Sequence, residues 1–197
     1  MKYRESGMPS EDLWDTFFNP LEILNQMGID KQIRTLIDVG CGYGTFLIPA
    51  TVLISGKVVG IDIQEEMIEI CKKKMHDHDI SCVDLICGDI SNEDTIKVLG
   101  KYKGEIDYIT LFNILHCEEP MILLRRAYEI INDNGKIGVI HWKSGKTPRG
   151  PSMEIRPKPE MIVDWAIKTG FVLERQVELP PYHFGLVFIK KSENFKY

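Results

Sequence analysis

The chain reads as an α/β protein: a mostly parallel, seven-stranded sheet with helices on both faces, finished by an antiparallel β-hairpin at its carboxyl end. Three observations predict this. From about residue 34, short apolar runs with no polar face alternate with segments of helical periodicity, the rhythm of βαβ units stacked into a parallel sheet. The last two strand-like runs are separated only by PPYH, a link too short for a parallel crossover, so they pair antiparallel. A length of 197 residues suits one domain around a single sizeable core.

The elements follow in order. RTLIDV (34–39), KVVGID (57–62), SCVDLIC (81–87), EIDYITLF (105–112) and KIGVIHW (136–142) are buried strands. Between them, IQEEMIEICKKKM carries Ile63, Met67, Ile70, Cys71 and Met75 on one helical stripe. PMILLRRAYEIIN repeats in the same way and stops at Asn134-Gly135. A helix near 158–169 precedes the hairpin strands FVLERQVEL (171–179) and FGLVFIKK (184–191). Residues 1–30 are expected to form a helical segment ahead of a core at 31–197. The least regular stretch, KSGKTPRGPSMEIRPKP (143–159), is longer than an ordinary connection, and loops of that length tend to be functional or disordered.

Composition narrows the class. A net charge of −5 argues against wrapping duplex nucleic acid, which calls for a basic face. The five cysteines form no CxxC pair and are odd in number, which disfavours a zinc site or a disulfide framework. The longest apolar run, FLIPATVLI, is too short to span a bilayer. With no basic-then-apolar leader, the chain is expected in the cytoplasm.

The stretch LIDVGCGYGTF (36–46) carries the chemistry. A strand ending in three alternate glycines and followed by a helix brings bare backbone amides to one point. Asp62 ends the next strand, 18 residues past Gly44, where a carboxylate can accept from both hydroxyls of a ribose. Pro49 falls in the first helical turn, where no amide partner is lost. A dinucleotide loop of the G-x-G-x-x-G type would place glycine at 45, and this chain has Thr45. Asp38, two residues before the first glycine, suits a cationic ligand better than a pyrophosphate. Both points favour S-adenosylmethionine, with its ammonium and sulfonium, over NAD.

With those residues in view, DVGCGYGTF resembles motif I of the class I S-adenosylmethionine-dependent methyltransferases. VVGIDIQEEMI, ICGDI (86–90), YITLFNILH (108–116) and INDNGKIGVI (131–140) resemble the motifs that follow it, in order over about 100 residues. The pattern is similar to the small-molecule enzymes that include the quinone-biosynthesis and arsenite methyltransferases. The resemblance implies a Rossmann-like core. It implies that Gly40, Cys41, Gly42 and Gly44 bend around the methionine part, with Asp38 near its ammonium and Asn113 at the same end. It further implies Asp62 on the ribose, Ile63 against the adenine, Asp89 on the adenine amino group and the Ile90 amide on a ring nitrogen. The product is then S-adenosylhomocysteine. Simpler readings stand beside these: Asp89 as a cap for a helix starting near Ser91, Asp62 as a turn residue, Ile63 and Met67 as core.

Methyl transfer from a sulfonium needs alignment and exclusion of water, and a base only where the acceptor carries a proton. His141, beside Trp142 at the end of the fifth strand, is the first candidate base and His116 the second; a structural histidine is the competing reading for each. His183, Trp14, Trp142 and Arg149 are candidate acceptor contacts, Trp14 as part of an amino-terminal lid. The cations Lys143, Lys146, Arg149, Arg156 and Lys158 either face solvent or recognise an anionic small-molecule acceptor. An arsenite methyltransferase would need cysteines converging at the mouth, away from which Cys71 and Cys82 are expected to lie. A non-catalytic S-adenosylmethionine-binding regulator is the alternative from another class. The acceptor atom and the oligomeric state are not legible.

Overall fold

The computed structural model describes Glu11 and residues 19–192 of the chain. A short helix α1 (Pro20–Gln26), whose N-cap Asn19 accepts from the Glu22 amide, leads into β1 (Thr35–Val39). Then come α2 (Leu47–Leu53), β2 (Lys57–Asp62), α3 (Glu65–Asp77), β3 (Val83–Cys87) and α4 (Glu93–Leu99). The second half holds β4 (Ile106–Phe112), α5 (Pro120–Ile130), β5 (Lys136–Trp142), α6 (Pro159–Thr169), β6 (Phe171–Leu179) and β7 (His183–Lys190).

The seven strands form one sheet in the order β3-β2-β1-β4-β5-β7-β6. β1 to β5 run parallel, and β7 inserts antiparallel between β5 and β6. Apolar runs without a polar face are what such strands require, because both faces are covered. Ile37, Val39, Val59, Ile61, Ile109, Leu111, Ile137 and Val139 turn to one face, against Leu99 of α4, Leu123 and Leu124 of α5 and Ile162 of α6. Leu36, Val58, Tyr108, Phe112 and Ile140 turn to the other, against Leu24 of α1, Leu47 of α2 and Ile68 and Cys71 of α3. Each such side chain taken fully out of water contributes about 1.5–3 kcal/mol. The described residues thus form two cores, one on each side of the sheet.

Tyr108 is a fully buried polar side chain in this packing. Its hydroxyl donates to the Met27 carbonyl at 2.7 Å, fastening the turn after α1 to the sheet. Gly138 on the neighbouring strand makes room for it, since a Cβ there would lie 2.6 Å from the hydroxyl.

Elements begin later than the sequence suggests in three places. Asp62 Oδ1 accepts from the Gln64 amide at 2.9 Å, which holds residues 63–64 in an extended turn, so α3 starts at Glu65 and Ile63 lies outside its stripe. The buried stripe of α3 is Met67, Ile68 and Cys71. The helix expected near Ser91 starts at Glu93, after a turn in which Asp89 Oδ1 accepts from the Ser91 amide at 2.7 Å. The strand expected from Ser81 begins at Val83. Within the expected amino-terminal segment, α1 packs Ile23 and Leu24 into the core, while Trp14 lies outside the described residues. No helix among the described residues is long and apolar enough to cross a membrane.

The order of strands places the site. From β1 the chain winds outward through β2 to β3, then returns to the other side of β1 with β4. The loops leaving β1 and β4 therefore diverge, and a crevice opens at the carboxyl ends of the strands.

Candidate active site

A cavity of about 530 Å³ occupies this crevice. Its floor is the glycine loop. The Gly40 and Cys41 amides both donate to the Ile61 carbonyl, at 2.8 and 3.1 Å, and peel the chain away from β1. Gly40 has φ +75°, and a Cβ would lie 2.8 Å from Ile114 Cγ2, so both its backbone and its neighbour demand glycine. Asp62 Oδ2 accepts from the Gly42 amide at 2.9 Å, tying the loop to the end of β2. Beneath it, the Cys71 thiol donates to the Gly42 carbonyl at 3.3 Å.

The ends of successive strands add the rest. Of the residues singled out for a donor, Asp38, Gly40, Cys41, Gly42, Asp62, Ile63, Ile90 and Asn113 line the cavity. Gly44 and Asp89 do not. Gly44 faces back toward Cys71 and Ile48, and Asp89 spends one oxygen in its own turn. Pattern reading missed Tyr43, Thr45, Phe46, Phe112, Ile114 and Leu123, all of which line the cavity. All but Leu123 lie inside the stretches DVGCGYGTF and YITLFNILH, which is the signal that would have found them.

The wall electrostatics are one-sided. Asp38 is 4% exposed, and burial raises its carboxyl to a pKa of about 6; the Thr110 hydroxyl bond opposes this and nearby Asp62 adds to it. Asp62 and His116 are the other charged or imidazole groups of the lining, and no lysine or arginine lines it among the described residues. Thr45 Oγ1 and both the carboxamide oxygen and nitrogen of Asn113 are buried on the same wall without a hydrogen-bond partner among the described residues. Asn113 also sits at φ 56°, a conformation unusual outside glycine, at the first position past β4. Unsatisfied buried polar atoms cost about 1–3 kcal/mol each, which a polar ligand would recover.

The histidines divide. His116 lines the cavity. His141, placed first from its position after the fifth strand, is fully buried and does not, because side chains alternate along β5 and Trp142 takes the inward place. Its ring lies 5.6 Å from that of His116, and its Nδ1 accepts from the Trp142 amide at 3.0 Å. Burial lowers the His141 pKa well below the ordinary value, with His116 and His183 adding to the effect. His183 stands 4.1 Å from the Trp142 ring, outside the lining, and is pushed down to about 3 by burial and by Arg156 and Lys143. Both stay neutral at physiological pH.

No cation of the 143–159 loop lines the cavity. Lys143 pairs with Glu178 at 2.5 Å, Arg156 is bonded within the loop, and Lys146, Arg149 and Lys158 are exposed. Cys41 and Cys117 line the wall and Cys71 lies under the loop. No group of three or more His, Cys, Asp or Glu side chains among the described residues is placed to hold a metal ion.

Comparison with known proteins gives the family and the fold. The chain belongs to the methyltransferase domain family, whose model matches residues 30–167. It is 26% identical over 140 residues to the demethylmenaquinone methyltransferase of Lactococcus lactis, a match covering 70% of this chain and 51% of that protein. The enzyme of the same name from Oceanobacillus iheyensis is 27% identical over 107 residues, covering 53% and 42%. The chain thus spans about half the length of the curated relatives it matches. Among solved structures, an S-adenosylmethionine-dependent methyltransferase from Aquifex aeolicus superposes with a TM-score of 0.77 at 22% identity, covering 92% of this chain and 94% of that one. The [4+2]-cyclase SpnF shares the fold with a TM-score of 0.74 at 14% identity, covering 96% and 85%.

Proposed function

We propose that the chain is an S-adenosylmethionine-dependent methyltransferase whose acceptor is a small, apolar aromatic molecule. One observation carries the donor assignment: the cavity wall holds Asp38 and Asp62 and, among the described residues, neither lysine nor arginine. Such a wall repels a pyrophosphate and attracts a ligand bearing an ammonium and a sulfonium. The orphaned Thr45 and Asn113 groups fit a donor rich in polar atoms.

In this reading Asp38 meets the ammonium, and the loop Gly40–Cys41–Gly42 lies along the methionine part, with Gly44 giving it its bend. The Asp62 oxygens each retain a lone pair beyond their backbone bonds, and these take the ribose hydroxyls. Ile63 covers one side of the adenine, the Ile90 amide addresses its edge, and Asn113 faces the methionine end. The donor supplies an activated methyl on a sulfonium whose departure leaves a neutral thioether. What remains for the protein is alignment and dryness. Phe112, Ile114, Leu123 and Trp142 provide an apolar wall for the acceptor. His116, facing the same space, accepts a proton from an acceptor hydroxyl or its conjugated carbon, and buried His141 orients it.

The named relatives act on demethylmenaquinone, and a lining without lysine or arginine among the described residues agrees with an uncharged acceptor of that quinol class. The test is calorimetric titration with S-adenosylmethionine, S-adenosylhomocysteine and NAD, followed by incubation with reduced short-chain demethylmenaquinone and mass spectrometry. Micromolar binding of the first two and a product heavier by one methylene unit support the reading. Binding of NAD alone overturns it, and retention of the donor with no transfer to any acceptor makes the chain a binding protein.

A further inference from the structure

The 143–159 loop is longer than an ordinary connection, and one side chain gathers its oxygens. A guanidinium has five N–H donors in a planar fork. All those of Arg156 end on oxygens of the same loop: Nε on Pro151 O (2.7 Å), Nη1 on Lys143 O (3.2 Å) and Gly145 O (3.3 Å), Nη2 on Thr147 Oγ1 (2.7 Å) and Arg149 O (3.2 Å). The loop is a ring of oxygens closed around one cation.

That ring is attached to the cavity. Arg156 Cζ lies 5.5 Å from the centre of the Trp142 ring, within the range of a cation–π contact. Gly150, held in the ring at φ +103°, lies so close to the indole that a Cβ would stand 2.7 Å from it. Trp142 and Gly150 both line the cavity, at the end away from Asp62 and Gly88.

We propose that Arg156 is a positioning residue that fixes Gly150 against Trp142 and thereby sets the shape of the acceptor-side wall without touching donor or acceptor. The inference rests on the methyltransferase reading for which end of the cavity takes the acceptor. Lysine cannot replace the arginine, because an ammonium has three donors and no planar fork to close the ring.

The experiment uses the full chain saturated with S-adenosylhomocysteine and compares the wild type with Arg156→Lys and Gly150→Ala. In Arg156→Lys, amide hydrogen exchange over residues 143–156 accelerates at least about tenfold while exchange in β1 to β5 is unchanged. S-adenosylhomocysteine affinity stays within about twofold, and KM for reduced short-chain demethylmenaquinone rises about tenfold with kcat changed less than about threefold. Gly150→Ala raises KM in the same direction. Unchanged loop exchange in Arg156→Lys overturns the proposal whatever the acceptor proves to be. A parallel loss of S-adenosylhomocysteine binding overturns it too, because the loop would then serve the donor. Failure of the wild type to bind S-adenosylhomocysteine sinks the methyltransferase reading instead, and the exchange measurement on the unliganded chain still judges the ring.

Discussion

Asp38 concentrates the tension between stability and binding at one side chain. Its folded pKa of about 6 stands above the ordinary 3.8, so folding favours the protonated form. The stability this lends is fully present below pH 4 and is lost as pH rises through 6, a difference of about 3 kcal/mol. Asp38→Asn removes the penalty, so at pH 8 the unliganded variant is expected to melt higher than the wild type, by about 1–3 kcal/mol in a denaturant titration. The same variant should bind S-adenosylmethionine at least about tenfold more weakly. In the wild type that affinity should climb between pH 5 and 7, as the carboxylate forms, and level off above; a flat profile would detach Asp38 from the ammonium. His116 is the complementary case, lining the part of the cavity proposed for the acceptor. Replacing it with alanine should lower kcat about 10²–10⁴-fold toward a hydroxyl-bearing acceptor while calorimetry finds S-adenosylhomocysteine affinity unaltered.

Elements are joined by a few polar contacts that apolar periodicity does not reveal. The Tyr108 hydroxyl links β4 to the turn after α1 through Met27, and Gly138 on β5 leaves the space for it. Tyr108→Phe strands a buried carbonyl and is expected to cost about 1–2 kcal/mol by chemical denaturation, with donor affinity preserved. Cys71 belongs to the same kind of contact. On α3 it reads as one member of an apolar stripe, and it also holds the glycine loop from below through the Gly42 carbonyl. The starts of α3 and α4 are shifted by single carboxylates, Asp62 and Asp89, each accepting from a backbone amide two residues on. Such side-chain turns compete with helix formation at the amino end.

For the whole molecule, the sheet order makes the site and the fold does not name the reaction. A cyclase and a methyltransferase superpose on this chain with similar scores, so chemistry rests on what lines the crevice. A ligand that binds only the folded chain stabilises all of it. S-adenosylhomocysteine at 100 times its dissociation constant should therefore raise unfolding free energy by about 2.7 kcal/mol, whereas NAD leaves the melting temperature unmoved. A shift with NAD and none with S-adenosylhomocysteine would contradict the donor assignment.

The legible part was the part encoded locally. Strand period, the KIGVIHW run of β5 and the hairpin link are written in consecutive residues, as are the three glycines and the carboxylates Asp38 and Asp62. Those features alone pointed to the parallel sheet with its antiparallel end and to a nucleoside-bearing cationic ligand. Tertiary structure had to decide which histidine reaches the cavity, because His141 and Trp142 occupy opposite faces of one strand and only packing sets which face turns inward. It also had to decide what the basic loop does. Its arginines and lysines read alike in sequence, yet Arg156 is enclosed by its own backbone oxygens while Arg149 faces solvent. Hydrogen bonds between residues 5 to 13 positions apart in an irregular segment have no period, and so leave no trace in the order of residues.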